Sequence, residues 1–96
     1  MQIEFAARAL KALEDISDFT ETTWGKAVSQ RYIGSLLASL ERLKVFPDNG
    51  HEVEIGPLRY RRLIHESHSI YYRIDGSRIL VVGILHVRQD PFRHLT

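Results

Sequence analysis

The chain closes on ILHVRQDPFRHLT, residues 84–96, where an apolar run gives way to two histidines, two arginines, a glutamine and an aspartate. Further arginines stand at 59, 61, 62 and 73, and further histidines at 65 and 68. Cleaving an RNA phosphodiester through its own 2′-hydroxyl needs a base for that hydroxyl, an acid for the 5′-oxygen and cations for the charge gathering on phosphorus. Arg61, Arg62 and Arg73 are candidate cations, and His86, His65 and Glu54 are candidate acids or bases. The same residue types can bind without reacting. Arg59, Arg61, Arg62, Arg73, Arg88 and Arg93, with Tyr71 and His86, are candidates for holding an acidic partner through bidentate guanidinium contacts.

Taken singly, most of these residues have plainer roles. His86 ends an apolar strand and reads as a hydrogen-bonded structural histidine. Asp90-Pro91 reads as a turn whose carboxylate accepts from nearby backbone N–H groups, with Arg88 and Arg93 solvated or paired to Asp90. Tyr72 reads as core, whereas Tyr71, sharing a strand face with Arg73, reads as looking toward a non-core surface. Trp24 is expected to pack the helix ends together. The five histidines show no metal-ligand spacing, and His65 and His68, which flank a turn, would need further ligands that the sequence does not supply. No Gly-rich phosphate loop, nucleophile elbow or paired-carboxylate motif is present, so neither metal nor cofactor is expected.

The elements that must position these groups follow from hydrophobic period. QIEF alternates and predicts a short strand with Ile3 and Phe5 inward. Ala9, Leu13, Ile16 and Phe19 then form a helical stripe that Trp24-Gly25 closes. Ile33, Leu36, Leu37, Leu40 and Leu43 mark a second helix over 26–45, antiparallel to the first because the link is so short. Residues 47–59 read as a polar loop with Asn-Gly and Gly-Pro turn signals. Strands follow over 60–65, 69–74 and 78–86, joined near Glu66-Ser67 and at Asp75-Gly76. ILVVGIL is apolar on both parities, as in a central strand covered on both faces. The expectation is an α+β fold of order β-α-α-β-β-β, a helical hairpin on a mostly antiparallel four-stranded sheet, forming a single domain over 1–96.

Composition narrows the function classes. The 96 residues carry a net charge of +1, and no cysteine is available for disulfides or thiolate metal sites. No run reaches membrane-spanning length and no signal-peptide pattern opens the chain, so a cytoplasmic protein without membrane association is expected. The charge is unevenly spread: residues 57–96 hold seven arginines against three acids, while the earlier part is acidic. With overall charge near zero and no visible reading helix, direct nucleic-acid binding is not expected. An acidic partner for the later half is.

The order of elements, the TTWG between the helices, the HSIYYRIDGSRILVVGILHVRQDP hairpin and the closing RHL resemble the RelE/ParE toxin superfamily across essentially the whole chain. The Leu-His-x-Arg-x-Asp tail closing on His-Leu is most similar to the ParE branch. The first helix departs from the family pattern, because FAARA lacks the usual Ser-Pro start. The resemblance implies the toxin half of a bacterial type II toxin–antitoxin pair, inhibiting DNA gyrase by binding. It also implies neutralisation by an acidic antitoxin segment that folds on the toxin, in a hetero-oligomer with a dimeric antitoxin. RelE-type relatives instead cleave mRNA in the ribosome and tend to carry a tyrosine, or a His-Tyr pair, near the chain end. Here His86 is followed by Val87 and no tyrosine occurs after Tyr72. No catalytic residue is therefore expected; for a nuclease the set would be His86, Arg61 and Arg73. A non-toxic antitoxin-binding module is the third reading.

Overall fold

The computed structural model describes residues 1–96. Strand β1, Gln2–Phe5, packs Ile3 and Phe5 on the core, and helix α1 follows over Ala7–Trp24. Gly25 ends α1 with φ of 97°, a backbone state that glycine alone adopts cheaply, and its N–H bonds the Glu21 carbonyl at 2.9 Å. Helix α2, Lys26–Leu43, returns along α1. Small side chains let the two approach: the Ser17 and Ser29 hydroxyls lie 3.2 Å apart, and Ser29 Oγ donates to the Ser17 carbonyl at 2.9 Å.

A 3₁₀ turn at Pro47–Asn49 leads into strands β2, His51–Ile55; β3, Leu58–His65; β4, His68–Asp75; and β5, Arg78–His86. The sheet runs β1-β5-β4-β3-β2, with β1 parallel to β5 and every other pair antiparallel. The α+β class is as expected, but the sheet has five strands rather than four. The missed strand is HEVEI, flanked by turn signals on both sides. Val53 and Ile55 turn inward while Glu52 and Glu54 look out, the alternation of an edge strand. The last hairpin also turns one residue later than expected, at Gly76-Ser77, since Asp75 is already paired with Arg78.

Both faces of the sheet are covered. On one, Leu36, Leu40 and Leu43 of α2 and Ala9 of α1 pack on Ile70, Tyr72, Ile79 and Val81. Tyr72 is fully buried and pins the 3₁₀ turn: its hydroxyl donates to the Pro47 carbonyl at 2.7 Å and accepts from the Gly50 N–H at 2.8 Å. On the other face a second cluster joins Ile55, Tyr60, Tyr71, Val82, Leu85 and Leu95. Tyr71, expected on a non-core surface, is therefore only 3% exposed. Its cover is the chain end, which folds into a short helix α3, Pro91–Leu95, rather than the plain turn expected. Asp90 caps it as foreseen, Oδ1 accepting from the Phe92 N–H at 3.0 Å.

Leu95 is the peg of this second core. A β-carbon on Gly83 would come within 2.5 Å of the Leu95 side chain, so glycine is what lets the tail lie flat on β5. Leu95→Ala should lower the free energy of unfolding by ~2–4 kcal/mol, as for other buried leucines cut to alanine. A urea melt that does not move would show that the tail is not part of the core.

Candidate functional site

The two-residue turn at Glu66-Ser67 and the β4–β5 register put His65, His68 and His86 in one row across three strands, on the face that carries the helices. Tyr32 of α2 stands over this row. Its hydroxyl lies 2.6 Å from His68 Nδ1 and donates to the His65 carbonyl at 3.4 Å. His65 is fixed from α2 by the hydroxyls of Ser35 and Ser39, each 2.9 Å from a ring nitrogen. The His68 and His86 rings meet edge to face, 5.6 Å apart at 81°. His86 Nδ1 accepts from the Arg88 N–H at 3.1 Å, and the His86 N–H donates to Gln89 Oε1 at 2.8 Å.

His68 and His86 line a cavity of about 660 Å³ together with the apolar residues Ile16, Phe19, Trp24 and Val28. Phe19 and Trp24 are each 68% exposed. Neither packs as expected: the helical stripe was to bury Phe19, and Trp24 was to join the helix ends. Large aromatics left open beside a cavity are characteristic of docking surfaces. The adjoining sheet is also open. β1 pairs only with Arg78–Val81, so residues 82–86 of β5 have no strand partner on that side. Arg8 Nε caps the first free carbonyl, Val82 O, at 2.6 Å.

Of the candidate binding residues, Arg59 pairs with Glu54 at 3.0 Å and looks outward. Arg61 is structural: it reaches Asp48 and Glu52, each at 3.4 Å, and donates to the Gly50 carbonyl at 2.8 Å, bracing the 3₁₀ turn. Arg62 and Arg73 lie on the opposite face, beside the buried Tyr71, and form no ion pair; Arg62 Nε is buried without a partner. Arg88 and Arg93 sit exposed on the tail laid across that face and, contrary to the pairing considered, make no ion pair with Asp90. The nuclease set is dispersed. Arg61 stands four residues along β3 from the histidine row, roughly 13 Å at strand rise, and Arg73 is on the other face. Glu54 is exposed on the edge strand.

Tyr32, His68, Phe19 and Trp24 were not singled out as a site from sequence. The spacing His65-x-x-His68 across a two-residue turn was the available signal, since it sets both rings on one face.

The model for the ParE toxin of type II toxin–antitoxin systems, parDE, matches residues 3–91. The chain belongs to the ParE toxin family. It is similar to Toxin ParE1 of Caulobacter vibrioides, at 32% identity over 88 residues covering 92% of this chain and 91% of the relative. Toxin ParE1 of Mycobacterium tuberculosis is 36% identical over 85 residues, 86% of each chain. Among solved structures, a chain of the chromosomal ParDE TA system from P. aeruginosa superposes with a TM-score of 0.79 at 20% identity, covering 92% of this chain and 97% of that one. That last likeness speaks for the fold. No helix of this ParE-type toxin is long and apolar enough to cross a membrane.

Burial first, and then the neighbouring His86 and His65, hold the His68 imidazole below its ordinary value of 6.5. The unfolded chain therefore binds this proton more readily than the folded one. The stability that neutral His68 contributes is complete above pH 6.5 and is lost as pH falls below it. The urea midpoint should fall between pH 7 and pH 5, and fall less in His68→Gln. Equal pH profiles for the two proteins would remove His68 as the cause.

Proposed function

We propose that this ParE-family toxin acts by binding DNA gyrase, not by cleaving RNA, and that a cognate antitoxin silences it by occupying the histidine cavity and the free edge of β5. The dispersal of His86, Arg61 and Arg73 supports this most directly. Cleavage needs base, acid and cations around one phosphate, and these stand too far apart to share one. Binding needs surface, and the chain offers it on two sides.

The cavity side suits the antitoxin. An extended segment can add its backbone to residues 82–86 of β5 while an apolar side chain enters against Phe19 and Trp24. Such a segment is acidic and orders on binding, and through a dimeric antitoxin it assembles a hetero-oligomer in the cytoplasm. The other side suits the target. Arg62, Arg73, Arg88 and Arg93 keep their guanidinium groups free of protein carboxylates, ready for bidentate contacts with an acidic surface.

Purified toxin added to a gyrase supercoiling reaction, and in parallel to translating ribosomes with primer-extension readout, should stop supercoiling and leave mRNA intact. Cuts in the ribosomal A site would sink the proposal. Silence in both assays with tight antitoxin binding would mark a non-toxic binding module. Arg73→Ala and Arg88→Ala should weaken gyrase inhibition several-fold at an unchanged urea midpoint. Arg61→Ala should instead cost stability, about 1–3 kcal/mol, because its charged hydrogen bonds hold the 3₁₀ turn.

A further inference from the structure

His68 and His86 each spend one ring nitrogen inside the protein and keep the other free. His68 Nδ1 is committed to the Tyr32 hydroxyl. His86 Nδ1 accepts the Arg88 N–H, which places the neutral ring's proton on Nε2. The two Nε2 atoms make no hydrogen bond to the protein, and both rings line the cavity. We infer that this end of the cavity is a carboxylate receptor. An Asp or Glu side chain of a partner segment enters between His68 and His86 while an adjacent apolar side chain fills the wall of Ile16, Phe19, Trp24 and Val28. The identity of that partner as the antitoxin rests on the function proposed above. The receptor itself does not.

The charges facing the row are consistent with such a guest. Asp15 of α1 lines the cavity, but Lys11 holds its carboxylate at 2.8 Å. Glu66 reaches only His65, at 3.4 Å. Arg8 is turned onto the Val82 carbonyl, and burial keeps the Tyr32 hydroxyl un-ionised. Gln89, neutral, is spent on the His86 backbone. No carboxylate of the chain therefore answers the two imidazoles. In the free protein burial, and then the neighbouring His86 and His65, oppose charge on the His68 ring.

An arriving carboxylate reverses that balance. It favours imidazolium over imidazole, so binding takes up a proton, and affinity rises as pH falls by up to about tenfold per pH unit for one proton. The window runs from the raised value in the complex down to the lowered His68 value in the free protein. An amide of the same shape can accept one hydrogen bond but cannot favour the charged ring.

The test uses 3-phenylpropionate and its neutral amide, titrated into the free toxin and read by the ring ¹⁵N shifts of His68 and His86. The acid should move both rings toward imidazolium, with dissociation on the order of millimolar for so small a ligand, and bind about tenfold tighter at pH 6 than at pH 7.5. The amide should perturb Phe19 and Trp24 without moving the rings. Equal, pH-independent binding of acid and amide would overturn the receptor, as would the absence of acid binding at pH 6. Calorimetry with the chain encoded beside the toxin, in two buffers of different ionisation heat, separates the two readings. Net proton uptake supports the receptor in its partner role. Tight binding without proton exchange overturns that role and leaves the antitoxin dock standing. Binding of the small acid with no binding of the neighbouring chain supports the receptor and removes the antitoxin reading.

Discussion

A strand that is apolar on both faces must be covered twice, and β5 sets that condition for the whole molecule. Val81 and Ile79 face the helical hairpin, Val82 and Leu85 face the other way, and all four are nearly or fully buried. The helical hairpin covers one face, and the second cover comes from the strand's own continuation. The tail turns at Val87-Arg88 and lays Leu95 on Gly83. The register shift between Tyr71 and Tyr72 leaves Val82 without an opposite residue, so Val82 and Gly83 both face the tail side. Core valine and peg socket thus come from one bulge.

The same economy creates the site. β1 has only four residues and guards β5 only as far as Val81. Beyond that point α1 passes over the sheet without supplying backbone partners, and the remaining gap between helix and strand is the mouth of the cavity. His86 is the last residue of β5, and its register with His68 is set by the bulge upstream. Where the histidines stand is therefore a result of how the strand is covered. Both rings line the cavity beside the end of β5 that β1 leaves unpaired.

Much of this was legible in the sequence. The period of 3.6 in Leu36, Leu40 and Leu43 and the two-sided apolarity of ILVVGIL gave the layers, because burial on one stripe or on two faces leaves an unambiguous pattern. Strand β2 was hidden because an edge strand of alternating glutamates resembles a polar loop when turns bracket it. Tyr71 was misplaced because the polar look of RQDPFRHL concealed one leucine able to bury a tyrosine. Phe19 and Trp24 show the opposite failure. Their period and hydrophobicity argue for burial, and only the tertiary arrangement shows that no element reaches them. The arginines could be counted but not sorted, since Arg61 and Arg62 differ by a single residue and lie on opposite faces.

That sorting bears on how a toxin of this shape is controlled. Acids of the helices and the edge strand meet Lys11, Arg59 and Arg61, while Arg62, Arg73, Arg88 and Arg93, which pair with no carboxylate, stand across the sheet from the cavity. Under the proposed arrangement the antitoxin segment and the target engage opposite faces of a sheet about one residue thick. A segment confined to the cavity would leave the arginines uncovered, and a ligand that binds two states equally shifts neither. Neutralisation then requires the antitoxin to bring bulk around the sheet edge at β1, or to shift the tail through His86, Arg88 and Gln89, which join the cavity to α3. Residues 86–89 link the cavity to the tail that covers the opposite face. They belong to the cavity through the His86 ring and to the opposite face through the turn that starts α3. The polar end of the last strand thus joins the cavity to the basic face.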